Sequence, residues 1–192
     1  GDGGAGVFVV TSPVNWFDYP QPTPRVGTLR LHHILEQGIL DPAQPSEGVT
    51  FYTPPDPSDY MGTDAVRALA DGAGGVYVLT RACNPVLAHT FCYQHSVLRL
   101  LHVTAAGATW PGWPSGGLSI PVMPEYDPLD QGDMVTDGAG GVVVAWMNFD
   151  LPTFQSPSVR AQRYSAAGSP LWPGGQAGLE LLAPALERHG LR

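Results

Sequence analysis

Short apolar runs alternate with Gly- and Pro-rich stretches along the whole chain, and three of these runs begin alike. Val7-Phe-Val-Val10 follows Asp2-Gly-Gly-Ala-Gly, Val76-Tyr-Val-Leu79 follows Asp71-Gly-Ala-Gly-Gly, and Val142-Val-Val-Ala-Trp146 follows Asp137-Gly-Ala-Gly-Gly. An Asp-Gly-rich segment leading into an apolar run is a tight hairpin signal, because Asp bonds nearby backbone amides and Gly accepts positive φ. The apolar runs therefore predict buried strands, and the segments before the second and third turns, Ala65–Ala70 and Gly132–Thr136, predict their hairpin partners.

Further landmarks keep the same spacing. Arg30, Arg99 and Arg160 each stand eight residues before a Gly, namely Gly38, Gly107 and Gly168. Ten residues later comes another Gly, at 48, 117 and 178, followed by a short apolar stretch and then by Pro54, Pro121 or Pro184. The Arg-bearing segments, Thr28–Leu35, Val97–Thr104 and Val159–Ser165, read as third strands, and Val49–Phe51, Leu118–Ile120 and Leu179–Leu181 as fourth strands. The openings lie 69 and 66 residues apart (Asp2 to Asp71, Asp71 to Asp137), which marks a repeated unit. The predicted fold is all-β: a β-propeller-like array of about three four-stranded antiparallel blades, spanning residues 1–70 (without a first strand), 71–136 and 137–192.

The strings Asp137-Gly-Ala-Gly-Gly-Val-Val-Val-Ala-Trp146, Val159-Arg-Ala-Gln-Arg-Tyr164 and Ala167-Gly-Ser-Pro-Leu-Trp172 resemble a bacterial secreted β-propeller repeat. The resemblance spans nearly the whole chain and blurs in the first copy, where Asp41 stands near the hairpin Trp position. It implies a secreted or cell-surface module and no settled activity. Gly107-Ala-Thr-Trp110 also matches the end of the Asp-box hairpin of sialidase-type propellers, but Ala105 occupies the Asp place. A hairpin closed by a packed Trp is the simpler reading.

Composition fits that picture. With 24 Gly and 20 Pro in 192 residues, a helical bundle is excluded. The hydrophobic fraction of 43% still supplies a core, so the chain is not read as disordered. The net charge of -8 and the absence of Lys leave no basic patch for nucleic acid. No apolar run is long enough for a membrane span.

In a four-stranded unit, the loops joining second to third strand and fourth to first strand share one end. Those loops vary most here and are rich in aromatics, which makes them the candidate binding face. They carry Trp16, Phe17, Asp18 and Tyr19 in the first unit, Phe91 and Tyr93 in the second, and Phe149, Asp150 and Phe154 in the third. Rings beside carboxylates suit stacking on sugars or gripping a partner's side chains, and they also suit packing the long loops themselves. Cys83 and Cys92 lie near the ends of one loop and are read as a disulfide, in keeping with an oxidising compartment. With His89 and His95 they also make a conceivable Cys2His2 set, but no metal site is assigned. Asp2, Asp71, Asp137, Arg30, Arg99 and Arg160 recur by position and are read as structural, the Arg residues bonding a neighbouring unit's Asp or carbonyls. His33 and His102 occupy equivalent strand positions. Calcium at the Asp turns is the one cofactor considered; otherwise none is expected.

No nucleophile elbow, zinc-protease helix, phosphate loop or dinucleotide fingerprint is present. The expected function is a non-catalytic extracellular binding or scaffolding module. The alternative is a carbohydrate-binding lectin or glycan-active enzyme that uses the aromatic loops. Three units are fewer than an ordinary closed ring needs. The expected partners are therefore further blades of the same protein or other copies of the chain, joined through open sheet edges, besides a glycan or surface-protein ligand.

Overall fold

The computed structural model describes residues 6–11, 28–52, 64–83, 96–120, 126–127, 132–150 and 158–182. These form strands in three antiparallel sheets, with one short 3-10 turn at Gly175–Ala177. The first sheet contains β1 (Val7–Thr11), β2 (Leu29–Ile34) and β3 (Val49–Tyr52), paired in that order. The middle sheet contains β4 (Asp64–Ala70), β5 (Gly75–Cys83), β6 (Ser96–Thr104) and β7 (Leu118–Ile120), again in chain order. In the third sheet, β8 (Tyr126–Asp127) and β9 (Gly132–Thr136) both pair along one side of β10 (Val142–Asp150). β11 (Ser158–Tyr164) and β12 (Leu179–Leu182) follow on its other side. No helix among the described residues is long and apolar enough to cross a membrane.

The second strands run further than their apolar cores predict. β10 continues to Asp150 because Tyr126 and Asp127 provide ladder partners for Asp150 and Phe149. Phe149 and Asp150 are thus strand residues rather than loop residues. β5 likewise extends to Cys83, which pairs with Ser96.

The Asp turns form for the reason their composition suggests. Asp71 Oδ1 accepts hydrogen bonds from the backbone amides of Ala73 at 2.7 Å and Gly75 at 2.8 Å. Asp137 Oδ1 accepts from Ala139 and Gly141, both at 2.7 Å. One carboxylate oxygen thus takes up two turn amides that would otherwise lack a partner.

The sheets stack in one sense. On the middle sheet, Val76, Val78, Leu101 and Val103 pack with Leu29, Leu31, Phe51 and Tyr52 of the first sheet. Its other face, carrying Tyr77, Leu79, Leu98, Leu100 and Ile120, packs with Met134, Val142, Val144, Trp146 and Tyr164 of the third. We call the face with Leu98 and Leu100 the front and that with Val76 and Val78 the back. Val142 and Val144 correspond to Val76 and Val78, and Leu29 and Leu31 to Leu98 and Leu100, so each contact joins one sheet's front to the next sheet's back. The strands β1, β4 and β9 neighbour one another along the stack. Each Val or Leu side chain fully removed from water in these layers contributes about 1.5–3 kcal/mol.

Candidate functional site

Three kinds of side-chain feature recur from sheet to sheet, and each ties a sheet internally or to its neighbour. The first completes the Asp turn. Asp71 Oδ2 lies 2.8 Å from His102 Nε2, and both groups are buried. In the third sheet Arg163 takes the place of His102, and its Nε donates to Asp137 Oδ2 at 2.9 Å. In the first sheet His33 Nδ1 pairs with Asp41 Oδ2 at 2.9 Å; Asp2 lies outside the described residues. Each of Asp71 and Asp137 therefore has donors on both oxygens.

His102 is the most enclosed of these groups. Its ring stacks between Tyr77, with centroids 4.0 Å apart, and Trp110, at 4.3 Å, with Trp113 edge-on. The Asp71 carboxylate assigns the ring proton to Nε2. Burial holds His102 below the ordinary His pKa, outweighing the Asp71 carboxylate that acts to raise it. Burial would also raise the Asp71 carboxyl, but hydrogen bonds from His102, Ala73 and Gly75 outweigh it and hold Asp71 below the usual carboxylate value. The stable pair is thus a neutral imidazole donating to a carboxylate. Tyr77 is pushed up to about 12 by burial and then by the Asp71 and Asp137 charges. Its hydroxyl donates to the Gly140 carbonyl at 2.7 Å, linking the middle sheet to the third-sheet turn.

The second feature is the recurring Arg. Arg30, Arg99 and Arg160 donate from Nη1 to the carbonyls of Glu47, Gly116 and Ala177, at 3.1, 3.2 and 3.1 Å. Each acceptor directly precedes the Gly that opens the fourth strand. The Arg residues therefore bind carbonyls as expected, but in the connection of their own sheet rather than in a neighbour. The reason is reach: the third strand and its own returning connection lie side by side, so the guanidinium spans them without crossing the stack.

The third feature, which sequence reading missed, joins consecutive sheets. Gln44 Nε2 donates to the Ala105 carbonyl at 2.6 Å, and Trp113 Nε1 donates to the Ala166 carbonyl at 2.7 Å. Gln44 and Trp113 each lie six residues after the hairpin Gly, while Ala105 and Ala166 each lie two before the next one. Spacing from the hairpin Gly was the available signal, but Gln and Trp share no residue type and so did not register as a repeat. The hairpin Gly itself sits at the same joint. A Cβ on Gly107 would strike the Val49 side chain, and one on Gly168 would meet Leu118 at 3.3 Å.

Trp16, Phe17, Asp18, Tyr19, Phe91, Tyr93 and Phe154 lie outside the described residues, as do Asp2, Cys92, His89 and His95. The Cys83–Cys92 disulfide falls there too. Phe149, Asp150 and Cys83 are placed only as strand backbone. Trp110 packs on His102, in keeping with a hairpin closed by a packed ring.

Among the described residues, apolar side chains are left exposed on both outer faces of the stack. Val7 and Val9, on the back of the first sheet, are 47% and 38% exposed, whereas their counterparts Val76 and Val78 are 0% exposed. On the front of the third sheet, Val135, Leu179 and Leu182 are 59%, 42% and 55% exposed. No protein family, curated protein or solved structure matches this chain.

Proposed function

We propose that this chain is a non-catalytic extracellular binding or scaffolding module of the β-propeller kind. The observation that supports this reading is the directional stacking, made twice within the chain with equivalent residues: front of one sheet on back of the next, hairpin Gly on fourth strand, side-chain donor on hairpin carbonyl. Propeller blades pack in that sense around a central axis. The buried polar groups also suit a scaffold. His102 and Asp71 are closed off by three rings and the turn amides, with no access for a substrate.

A glycosidase screen combined with a glycan array on the full chain tests the proposal. No turnover is expected. Turnover that disappears in Asp18→Asn or Asp150→Asn would replace the scaffold with a glycan-active enzyme. Sugar binding without turnover, lost in Trp16→Ala, would make the module a lectin.

A further inference from the structure

The recurring Arg is completed differently in the middle and third sheets. Arg99 and Arg160 stand at equivalent places on their third strands, and each uses Nη1 on the carbonyl that precedes the fourth-strand Gly. That leaves the guanidinium edge formed by Nε and Nη2, which can pair side-on with a carboxylate. In the third sheet this edge meets one. Arg160 Nη2 donates to Glu180 Oε2 at 2.8 Å, and Glu180 is the fourth-strand residue directly opposite. In the middle sheet the residue opposite Arg99 is Ser119, which is exposed and carries a hydroxyl where Glu180 carries a carboxylate. Nε is buried without a hydrogen-bond partner in both Arg residues, so the two differ at Nη2.

The first sheet is not a second case of the middle one. Thr50 lies opposite Arg30, but Glu47, whose carbonyl Arg30 binds, brings a carboxylate of its own. Its own backbone amide, then Ser46 and the Arg30 charge, hold that carboxyl below the usual range. The residue at the place of Glu47 in the middle sheet is Gly116, which has no side chain to offer.

We infer that the middle sheet binds a monocarboxylate at Arg99, whose Nη2 and Nε take the carboxylate group as Arg160 Nη2 takes Glu180, with the Ser119 hydroxyl donating to the outer oxygen. The ligand approaches over β7, which is the edge strand of its sheet and is exposed at Ser119. A polyanion is disfavoured, because the chain carries a net charge of -8. The guanidinium is partly exposed, so binding is weak, with a Kd on the order of millimolar. The site belongs to the middle sheet. What lies against the outer faces of the stack therefore does not bear on it, and neither does closure into a ring.

Arginine side-chain NMR of the full chain tests this. The chain has nine Arg and no Lys, so the Nε–H signals can be followed one by one. Sodium acetate is titrated in exchange for sodium chloride at constant ionic strength. The Arg99 signal is expected to shift with acetate and to saturate, while the Arg160 signal, already paired with Glu180, does not follow it. Ser119→Glu supplies a carboxylate from within the chain and is expected to weaken acetate binding at Arg99 by about tenfold or more, the scale of one charge-assisted hydrogen bond. Glu180→Ser is expected to make Arg160 respond as Arg99 does. Both substitutions fall on exposed residues. Circular dichroism checks that the sheets persist, and Ser119→Asp or Glu180→Thr replaces a variant that loses them. An Arg99 signal that acetate moves no more than chloride overturns the inference. So does a response that persists undiminished in Ser119→Glu, or one that Arg160 shares while Glu180 is in place, since acetate would then be meeting any Arg alike.

Discussion

The first and middle sheets present the same second-strand motif in opposite surroundings. Val7 and Val9 belong to an Asp-Gly opening just as Val76 and Val78 do, yet the first pair is substantially exposed and the second is sealed. Local sequence does not account for the difference, because both pairs alternate across a strand in the same way. What differs is the neighbour. Among the described residues, the middle sheet has a sheet on each face, and the first has one on its front alone. A continuous apolar run therefore signals a strand that can be buried on both faces, and the stack decides whether it is.

The largest expected contrast lies between the faces. Leu100→Ala, on the sealed front of the middle sheet, should cost about 2–5 kcal/mol in urea unfolding, because it leaves a cavity between two sheets. Leu179→Ala, on the open front of the third sheet, should cost well under about 1 kcal/mol at concentrations where the chain is single. Equal costs would mean that the two fronts are not differently covered.

A smaller contrast lies in the hairpin glycines. Gly107→Ala and Gly38→Ala share the penalty of a side chain at positive φ, about 1–2 kcal/mol. Only Gly107 also faces a side chain across a joint, so its substitution should cost a further ~1–3 kcal/mol of overpacking. If the two variants unfold at the same denaturant concentration, the hairpin does not act as a joint.

Smaller still is a pH effect confined to the middle sheet. His102 sits below its ordinary pKa when folded, so the unfolded chain binds a proton near pH 6.5 that the folded chain does not take up until lower pH. This contribution to stability is present above about pH 6.5 and falls as the pH drops below it. Asp71, also held below its ordinary value, adds a further loss as the pH falls through the carboxylate range. Thermal unfolding between pH 7 and 5 should show the slope in the unaltered chain and a shallower one in His102→Gln. An unchanged slope would place the titration elsewhere. The corresponding third-sheet residue is Arg163. Its guanidinium is partly exposed where it meets Asp137, and Arg163→Ala should cost no more than about 1 kcal/mol.

Much of the fold was legible because its signals are local. The Asp turns, hairpin glycines and apolar runs each act within a few residues, so strand positions and their order could be read from spacing. The turns at Asp71 and Asp137 were legible for the same reason, since the amides they bind lie two and four residues ahead. The ties between distant segments were less legible. The donors from Gln44 and Trp113 are a glutamine in one joint and a tryptophan in the other, and only the shared acceptor geometry makes them equivalent. His102 gave no sign that two rings would sandwich it, because Tyr77 and Trp110 reach it from another strand and from the hairpin. The strand character of Phe149 and Asp150 depended on Tyr126 and Asp127, more than twenty residues away.

The sequence by itself therefore determined the all-β class, the turns and the order of strands in each sheet, since hydrogen bonding and backbone freedom over short spans fix those. Only the tertiary structure decided which of several identical valines are sealed, which side of each sheet is the front, and which faces are left over. Burial belongs to a pair of surfaces rather than to a residue, and the pairing is made across some seventy residues of chain.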